Sequence, residues 1–367
     1  MTQIFENDVA PHGGAATARA AAPCSPDDAG AASQPRLKAG LGVIIVNYRT
    51  PDLVAQCLAS IAPELSALDA RAVVVDNRSD DGSADRIAAF LSGESAGGAT
   101  WTERVSLVRA RRNSGFAGGN NFGRGFLDAP YYLLLNSDAL ARPGALAALI
   151  AAAERRPDAG AVGPRLEDPD GRAQQSRFRF KTPLTEFLAG ARVRLLDRLF
   201  AFAAVAPPVD DAPTDAEWVS FACVLLRREA VDAVGPMDEG YFMYFEDADY
   251  CRQLRRGGWS VVYEPSARVV HLRGGSSPVK SLMREKKRPP AYFYASRTRY
   301  FRKSFGPLGP TLANLAWTAG RAVAHVRLLV GRPVPRACAR QARDQWINWR
   351  APLNDSRAPT TGGGEPS

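Results

Sequence analysis

Three observations predict an α/β fold, with a mostly parallel, Rossmann-like sheet flanked by helices. Short β-branched runs alternate with helical patterns, the runs are apolar along their whole length, and polar residues recur just past their ends. The first run, Leu41–Asn47, lies between Gly40 and the turn-prone TPD at 50–52, and a helical pattern follows over 53–61. A second run at 72–75 ends at Asp76 and leads through NRSDDGS to a helix over 84–91. A third at 105–108 precedes RNSGFAGGNNFG, and a fourth at 131–135 ends in NSD. Open α/β sheets bind ligands at the carboxyl ends of their strands. Asn47, Asp76, Asn77, Asn136 and Asp138 are therefore aimed from independent segments at one crevice. Each alone reads equally as a turn residue or helix cap, and only their joint placement points to a site.

Composition bounds the rest. The chain has 367 residues with 46% hydrophobic content, enough for one or two packed domains. Residues 1–38 are rich in Ala, Gly, Pro, Asp and Ser and read as a disordered tail, as do residues 351–367. Residues 39–275 then form the α/β domain, and 276–350 a basic, mainly helical extension. The start lacks the basic and apolar regions of a secretory signal. The richest apolar stretches are interrupted, one by Asp197 and Arg198, the other by Arg321, His325 and Arg327, so a membrane-spanning helix is not expected. Five cysteines without CxxC spacing argue against a disulfide framework or zinc site and fit a reducing, cytoplasmic setting; Cys57, Cys223 and Cys251 read as small core residues.

The net charge of +9 calls for an anionic partner. Basic residues crowd 268–303 with Tyr292, Phe293, Tyr294, Tyr300 and Phe301 among them, a mixture that suits an anionic membrane surface. The 313–330 stretch reads as an interfacial amphipathic helix. No nucleic-acid module surrounds the basic cluster, so nucleic acid is not the expected partner.

The segment GPMDEGYFMYFEDADYCRQ over 235–253 sets Glu246, Asp247 and Asp249 directly behind an aromatic run. An apolar setting raises carboxylate pKa values and suits proton abstraction or metal binding; the plain alternative is a helix N-terminus. If a helix starts here, Asp247 shares a face with Cys251 and Leu254 while Asp249 turns away. The three acids then cannot do one job.

The ordered set VIIVNYRT, VVVDNRSDDGS, NSGFAGGNNFG, LLLNSDA, GPMDEGYFMYFEDADYCRQL and a late His271 resembles the GT-A fold glycosyltransferases of family 2, in their rhamnosyltransferase-like branch, over about 42–275. The resemblance implies an inverting, metal-dependent transfer from a nucleotide-sugar donor, dTDP-L-rhamnose, to a glycan or polyprenyl-linked acceptor. With the basic, aromatic carboxy-terminal part, the expected location is cytoplasmic, peripheral on the inner face of the plasma membrane.

By the same resemblance Asp247 is the base, with Asp249 second in line. Asn47, Asp76, Asn113, Gly115, Asn120, Asn136 and Asp138 face the donor, and the glycine-rich 115–125 stretch is a loop that closes over the nucleotide. NSD stands where many relatives carry DxD, so Asp138 and His271 are the expected ligands of Mg²⁺ or Mn²⁺. Asn136 in place of an acid removes one charge from that set. Trp218, Glu246 and Asp249 are the expected acceptor contacts, Phe221 and Val224 core residues, and Arg177 and Arg179 either phosphate contacts or solvated. Two other readings remain: a binding protein of this fold without chemistry, and a nucleotidyltransferase. The second needs a glycine-rich basic loop after the first strand, where NYRTPD stands.

Overall fold

The computed structural model describes residues 36–93, 101–209, 211–272, 278–331 and 333–356. Its amino-terminal half runs β1 (Leu37–Lys38), β2 (Leu41–Asn47), α1 (Pro51–Ala67), β3 (Ala70–Asp76), α2 (Ser83–Leu91), β4 (Val105–Arg109), α3 (Gly115–Arg124), β5 (Leu127–Asp128), β6 (Tyr131–Asn136), β7 (Ala139–Ala141), α4 (Ala145–Arg155) and β8 (Ala159–Glu167). Next come β9 (Arg177–Phe178), α5 (Pro183–Ala191), α6 (Arg194–Leu199), β10 (Thr214–Asp215), β11 (Trp218–Val219), β12 (Cys223–Arg227), α7 (Arg228–Val234), α8 (Glu246–Arg256) and β13 (Ser260–His271). Four helices follow: α9 (Val279–Arg284), α10 (Ala291–Phe305), α11 (Gly309–His325) and α12 (Gln341–Asp344).

The central sheet runs β10-β13-β8-β12-β6-β2-β3-β4. Strands β4, β3, β2 and β6 are parallel, in a register that sets Asn47 opposite Asp76 and Val46 opposite Asn136. Their polar carboxyl ends therefore line up along one edge. The other half is mixed, because β12 enters antiparallel between β6 and β8 while β13 runs parallel to β8. Residues alternate between the two faces as strand geometry requires. Val43, Ile45 and Val74 pack under α1, α2 and α4, while Ile44, Val73 and Val75 face α3, α7 and α8.

The glycine-rich stretch expected as a loop is helix α3. Its glycines let it sit close on the sheet: a Cβ at Gly123 would lie 2.7 Å from Ile44 Cγ2 and 2.8 Å from Val75 Cγ2. Glycine lowers helix propensity, and packing against the sheet overrides that cost here.

The segment over 276–350, expected as a membrane-proximal extension, packs onto the α/β domain rather than standing apart from it. Tyr300, Phe301 and Ala313 share a core with Tyr241, Phe245 and Ala248. Arg297, 3% exposed, binds Glu186 of α5 at 2.9 Å and Asn314 of α11 at 2.7 Å. Arg299 and Lys303 likewise bond inward, to Asp238 and Asp249, and Tyr300 and Phe301 pack against the domain. Both expected tails also shorten. Leu37–Lys38 pairs with β5, and Ser356 is buried, donating its N–H to Gly240 O at 3.0 Å while its Oγ accepts from Phe242 N at 2.8 Å. Residues 1–35 and 357–367 lie outside the described residues. Among the described residues, no helix is long and apolar enough to cross a membrane.

Candidate active site

A cavity of about 1170 Å³ opens at the carboxyl edge of the parallel strands. Asn113, Gly115, Asn136, Asp138 and His271 line it on one side, and Trp218, Glu246 and Asp247 on the other. These eight expected residues come together.

Asn47 and Asp76, expected to face the donor, are not on the cavity wall. Both are buried, and because their strands are in register, Asn47 Nδ2 donates to Asp76 Oδ1 at 2.8 Å. Ser79 Oγ donates to the same oxygen at 2.6 Å, and Thr50 N to Asn47 Oδ1 at 3.1 Å. The pair fixes the turn beneath the wall. Asn77, the next residue, does line the cavity, where its Nδ2 donates to Asn113 Oδ1 at 3.0 Å and Gly115 O at 2.9 Å. Asn120 is likewise not a cavity residue: it is buried in α3 and donates to Phe116 O at 2.9 Å, one helical turn back.

Asp138 and His271 meet through backbone pairing. Strand β7 runs antiparallel to the end of β13 with His271 opposite Ala139, and Leu272 N donates to Asp138 O at 2.9 Å. His271 Nε2 then stands 3.5 Å from Asp138 Oδ1, both side chains nearly buried. Gln174 Nε2 holds the strand end by donating to His271 O at 2.8 Å. Among the described residues, no third His, Cys, Asp or Glu completes a group of three with them. One carboxylate and one imidazole at a cavity wall fit a divalent cation that takes its other ligands from substrate phosphate and water.

Helix α8 starts at Glu246, so the capping and reactive-site readings of the acidic cluster meet in one place. The two residues before it, Tyr244 and Phe245, both have φ of 71°, a left-handed conformation costly for side chains of this size. Aromatic neighbours hold them: Phe293 lies 5.6 Å from Tyr244, and Tyr300 lies 5.4 Å from Phe245, between ring centroids. Gly115 adjoins the same turn. At φ of +72° its missing Cβ would fall 2.0 Å from Phe242 O, and Phe116 N donates to that oxygen at 2.9 Å. The two walls of the cavity are thereby bonded to each other.

Burial pushes the Asp247 carboxyl up to about 6, against the lowering effects of the Ala248 N–H and the Lys280 cation. Glu246 is driven well above the usual carboxylate range, first by burial and then by the neighbouring Asp247 charge. Its Oε2 has no hydrogen-bond partner. Two adjacent buried carboxylates titrate as a pair and favour holding one proton between them.

Asp249 turns away, as helical spacing requires, and does not reach the cavity as an acceptor contact. Its Oδ2 accepts from Gln253 Nε2 at 2.7 Å and pairs with Lys303 Nζ of α10 at 2.5 Å. Lys303 also binds Asp238 at 2.7 Å, as does Arg299. Burial alone would raise the Asp238 carboxyl; these two cations outweigh it and hold the group below its usual range.

Trp218 lies on the wall with its ring stacked on Phe178 at 4.2 Å and its Nε1 donating to Arg179 O at 2.9 Å. Phe221 and Val224 are buried as expected. Neither Arg177 nor Arg179 is part of the wall; Arg179 Nη1 donates to Ala204 O at 3.2 Å. Lys280, Arg284, Tyr292 and Phe293 line the cavity instead. Sequence reasoning had assigned this basic and aromatic group to a membrane surface.

Residues 42–204 match the family model described as Glycosyl transferase family 2. Over these residues the chain is similar to the family 2 glycosyltransferases. Over 152 residues it is 34% identical to the N-acetylglucosaminyl-diphospho-decaprenol L-rhamnosyltransferase of Mycobacterium tuberculosis, a match covering 40% of this chain and 48% of that protein. It is 27% identical over 198 residues to the O-antigen biosynthesis protein RfbC of Myxococcus xanthus, covering 53% of this chain and 14% of that protein. The chain therefore spans at most about half the length of these curated relatives. Among solved structures, the mannosyltransferase PcManGT of Pyrobaculum calidifontis, in complex with GDP-Man and Mn²⁺, superposes with a TM-score of 0.50 at 15% identity, over 90% of this chain and 91% of that one. GalNAc-T7 with UDP, GalNAc and Mn²⁺ gives 0.51 at 13% identity, over 81% of this chain and 59% of that one. The fold is GT-A, with its sheet flanked by helices and a helical carboxy-terminal region.

Proposed function

We propose that this chain is an inverting glycosyltransferase that moves a sugar from a nucleotide donor to a hydroxyl of a glycan or polyprenyl-linked acceptor. The carrying observation is that a single cavity joins the Asn77, Asn113, Asn136, Asp138 and His271 wall to Glu246 and Asp247. Its volume exceeds the usual range for one small ligand and suits two substrates side by side. The L-rhamnosyltransferase relatives support L-rhamnose as the sugar, and the diphospho-decaprenol in their name supports a lipid-linked acceptor; dTDP as the carrier rests on the family resemblance.

On this reading Asp247 takes the proton of the acceptor hydroxyl as that oxygen attacks the anomeric carbon. The bond to the donor phosphate breaks on the opposite face, and the sugar inverts without a covalent enzyme intermediate. Glu246, holding its proton, can donate a hydrogen bond to the acceptor, while Lys280 and Arg284 face the negative charge of the departing nucleoside diphosphate. Asp138 and His271, with Asn136 beside them, would hold Mg²⁺ or Mn²⁺, which supplies Lewis-acid stabilisation of that diphosphate. A water-soluble donor and a lipid-linked acceptor meet at an interface, so the proposed location is the cytoplasmic face of the plasma membrane.

Asp247→Asn tests the assignment. Transfer should fall by about a thousandfold, within the range for loss of a general base, with donor affinity nearly unchanged by calorimetry. Normal transfer by this variant would sink Asp247 as the base.

A further inference from the structure

The helices at the carboxy-terminal end present an apolar face to solvent. Leu308, Leu312 and Leu315, spaced to share one side of α11, are 67%, 48% and 55% exposed. Trp349 belongs to the same face, since its Nε1 donates at 2.8 Å to Thr311 Oγ1, between these leucines. Trp346 packs edge-on against Trp349 at 5.6 Å, and the two indoles are 40% and 42% exposed.

The sequence that carries this face is one-sided in charge. Residues 301–350 contain nine Lys and Arg and one acid, Asp344, in a chain whose net charge is +9. Asp344 is itself buried and paired with Arg288 at 2.7 Å. Exposed Arg343 and Arg350 flank the tryptophans.

We infer that this leucine and tryptophan face is the surface by which the protein rests on an anionic lipid bilayer. Leucines reach the acyl boundary, indoles sit at head-group level, and arginines meet lipid phosphate. Stable interfacial binding takes both an apolar and a basic contribution, and both are present here. A second copy of the chain fits this face poorly, because a two-fold contact would bring the same arginines together. The interface thus lies on α11 and the tryptophans, away from the α9 and α10 residues that line the cavity. The inference rests on the proposed lipid-linked acceptor for its purpose, while its physical basis is the surface alone.

Co-flotation of the full chain with vesicles tests it, in the absence of donor and acceptor. Phosphatidylcholine vesicles containing phosphatidylglycerol should carry the protein up, pure phosphatidylcholine much less, and added salt should release it. Leu312→Glu with Leu315→Glu, and separately Arg343→Glu with Arg350→Glu, should each weaken partitioning on the order of tenfold or more. Their melting temperatures and donor hydrolysis in vesicle-free buffer should stay those of the parent. Absence of parent binding to anionic vesicles, or unchanged binding by both double variants, would overturn the inference. So would a dimer in sedimentation that the leucine variant dissolves without any vesicle binding, since a second copy would then cover the face. Vesicle binding without donor turnover would uphold this surface and sink the glycosyltransferase reading instead.

Discussion

The two walls of the cavity are built in different ways. The wall proposed for the donor comes from strand ends placed by sheet register, with Val46 opposite Asn136 and His271 opposite Ala139. The acceptor-side wall is a helix N-terminus behind two left-handed residues, held by rings and ion pairs from α10 and by Ser356. Strand register survives the loss of a single side chain. The acceptor wall has no such redundancy, so substitutions far from the chemistry should disturb it.

On the donor side the largest expected loss is confined to chemistry. Asp138→Asn should cut transfer by on the order of a hundredfold or more and abolish any response to Mn²⁺, because leaving-group stabilisation is lost. Its melting temperature should barely move, since the strand pairing around it is backbone to backbone. A large drop in melting temperature with metal response intact would assign Asp138 to the scaffold.

On the acceptor side the expected loss is of stability. Lys303→Met removes the cation shared by Asp238 and Asp249, of which Asp249 is nearly inaccessible, at 3% side-chain exposure. Leaving such a carboxylate without its partner costs about 3 kcal/mol. Urea unfolding should show it, and Asp249→Asn added to Lys303→Met should restore part of the loss. If Lys303→Met unfolds like the parent, the acceptor wall does not depend on α10 and the contrast between the two walls fails.

The same contrast explains what was legible in the sequence. The parallel strands were readable because burial on both faces makes them apolar throughout, and the start of α8 because its acids suit a helix N-terminus. Helix α3 was misread because its glycines have low helix propensity and are retained for a close approach to Ile44 and Val75, two strands distant in sequence. Asn77 was overshadowed by Asp76, since one step along a strand end decides which residue faces the cavity. Tyr292 and Phe293 looked interfacial for the same reason that they wall a cavity: rings among cations suit both. Long-range pairings such as that of Arg297 with Glu186, 111 residues earlier, reveal the inward orientation of α10.

The smallest expected effect separates Asp247 from Glu246. With Asp247 titrating at about 6, a base that must be unprotonated gives kcat/KM that rises with pH through that region and levels off above it. Lys280 lowers the Asp247 value, so Lys280→Gln should move the acid limb to higher pH. Glu246, raised well above the carboxylate range by burial and then by the Asp247 charge, favours its protonated form. Glu246→Gln therefore preserves the local charge and should leave the limb in place, lowering the rate only through the altered hydrogen bond to acceptor. An acid limb that disappears in Glu246→Gln, with Asp247→Asn still active, would exchange the roles of the two carboxylates.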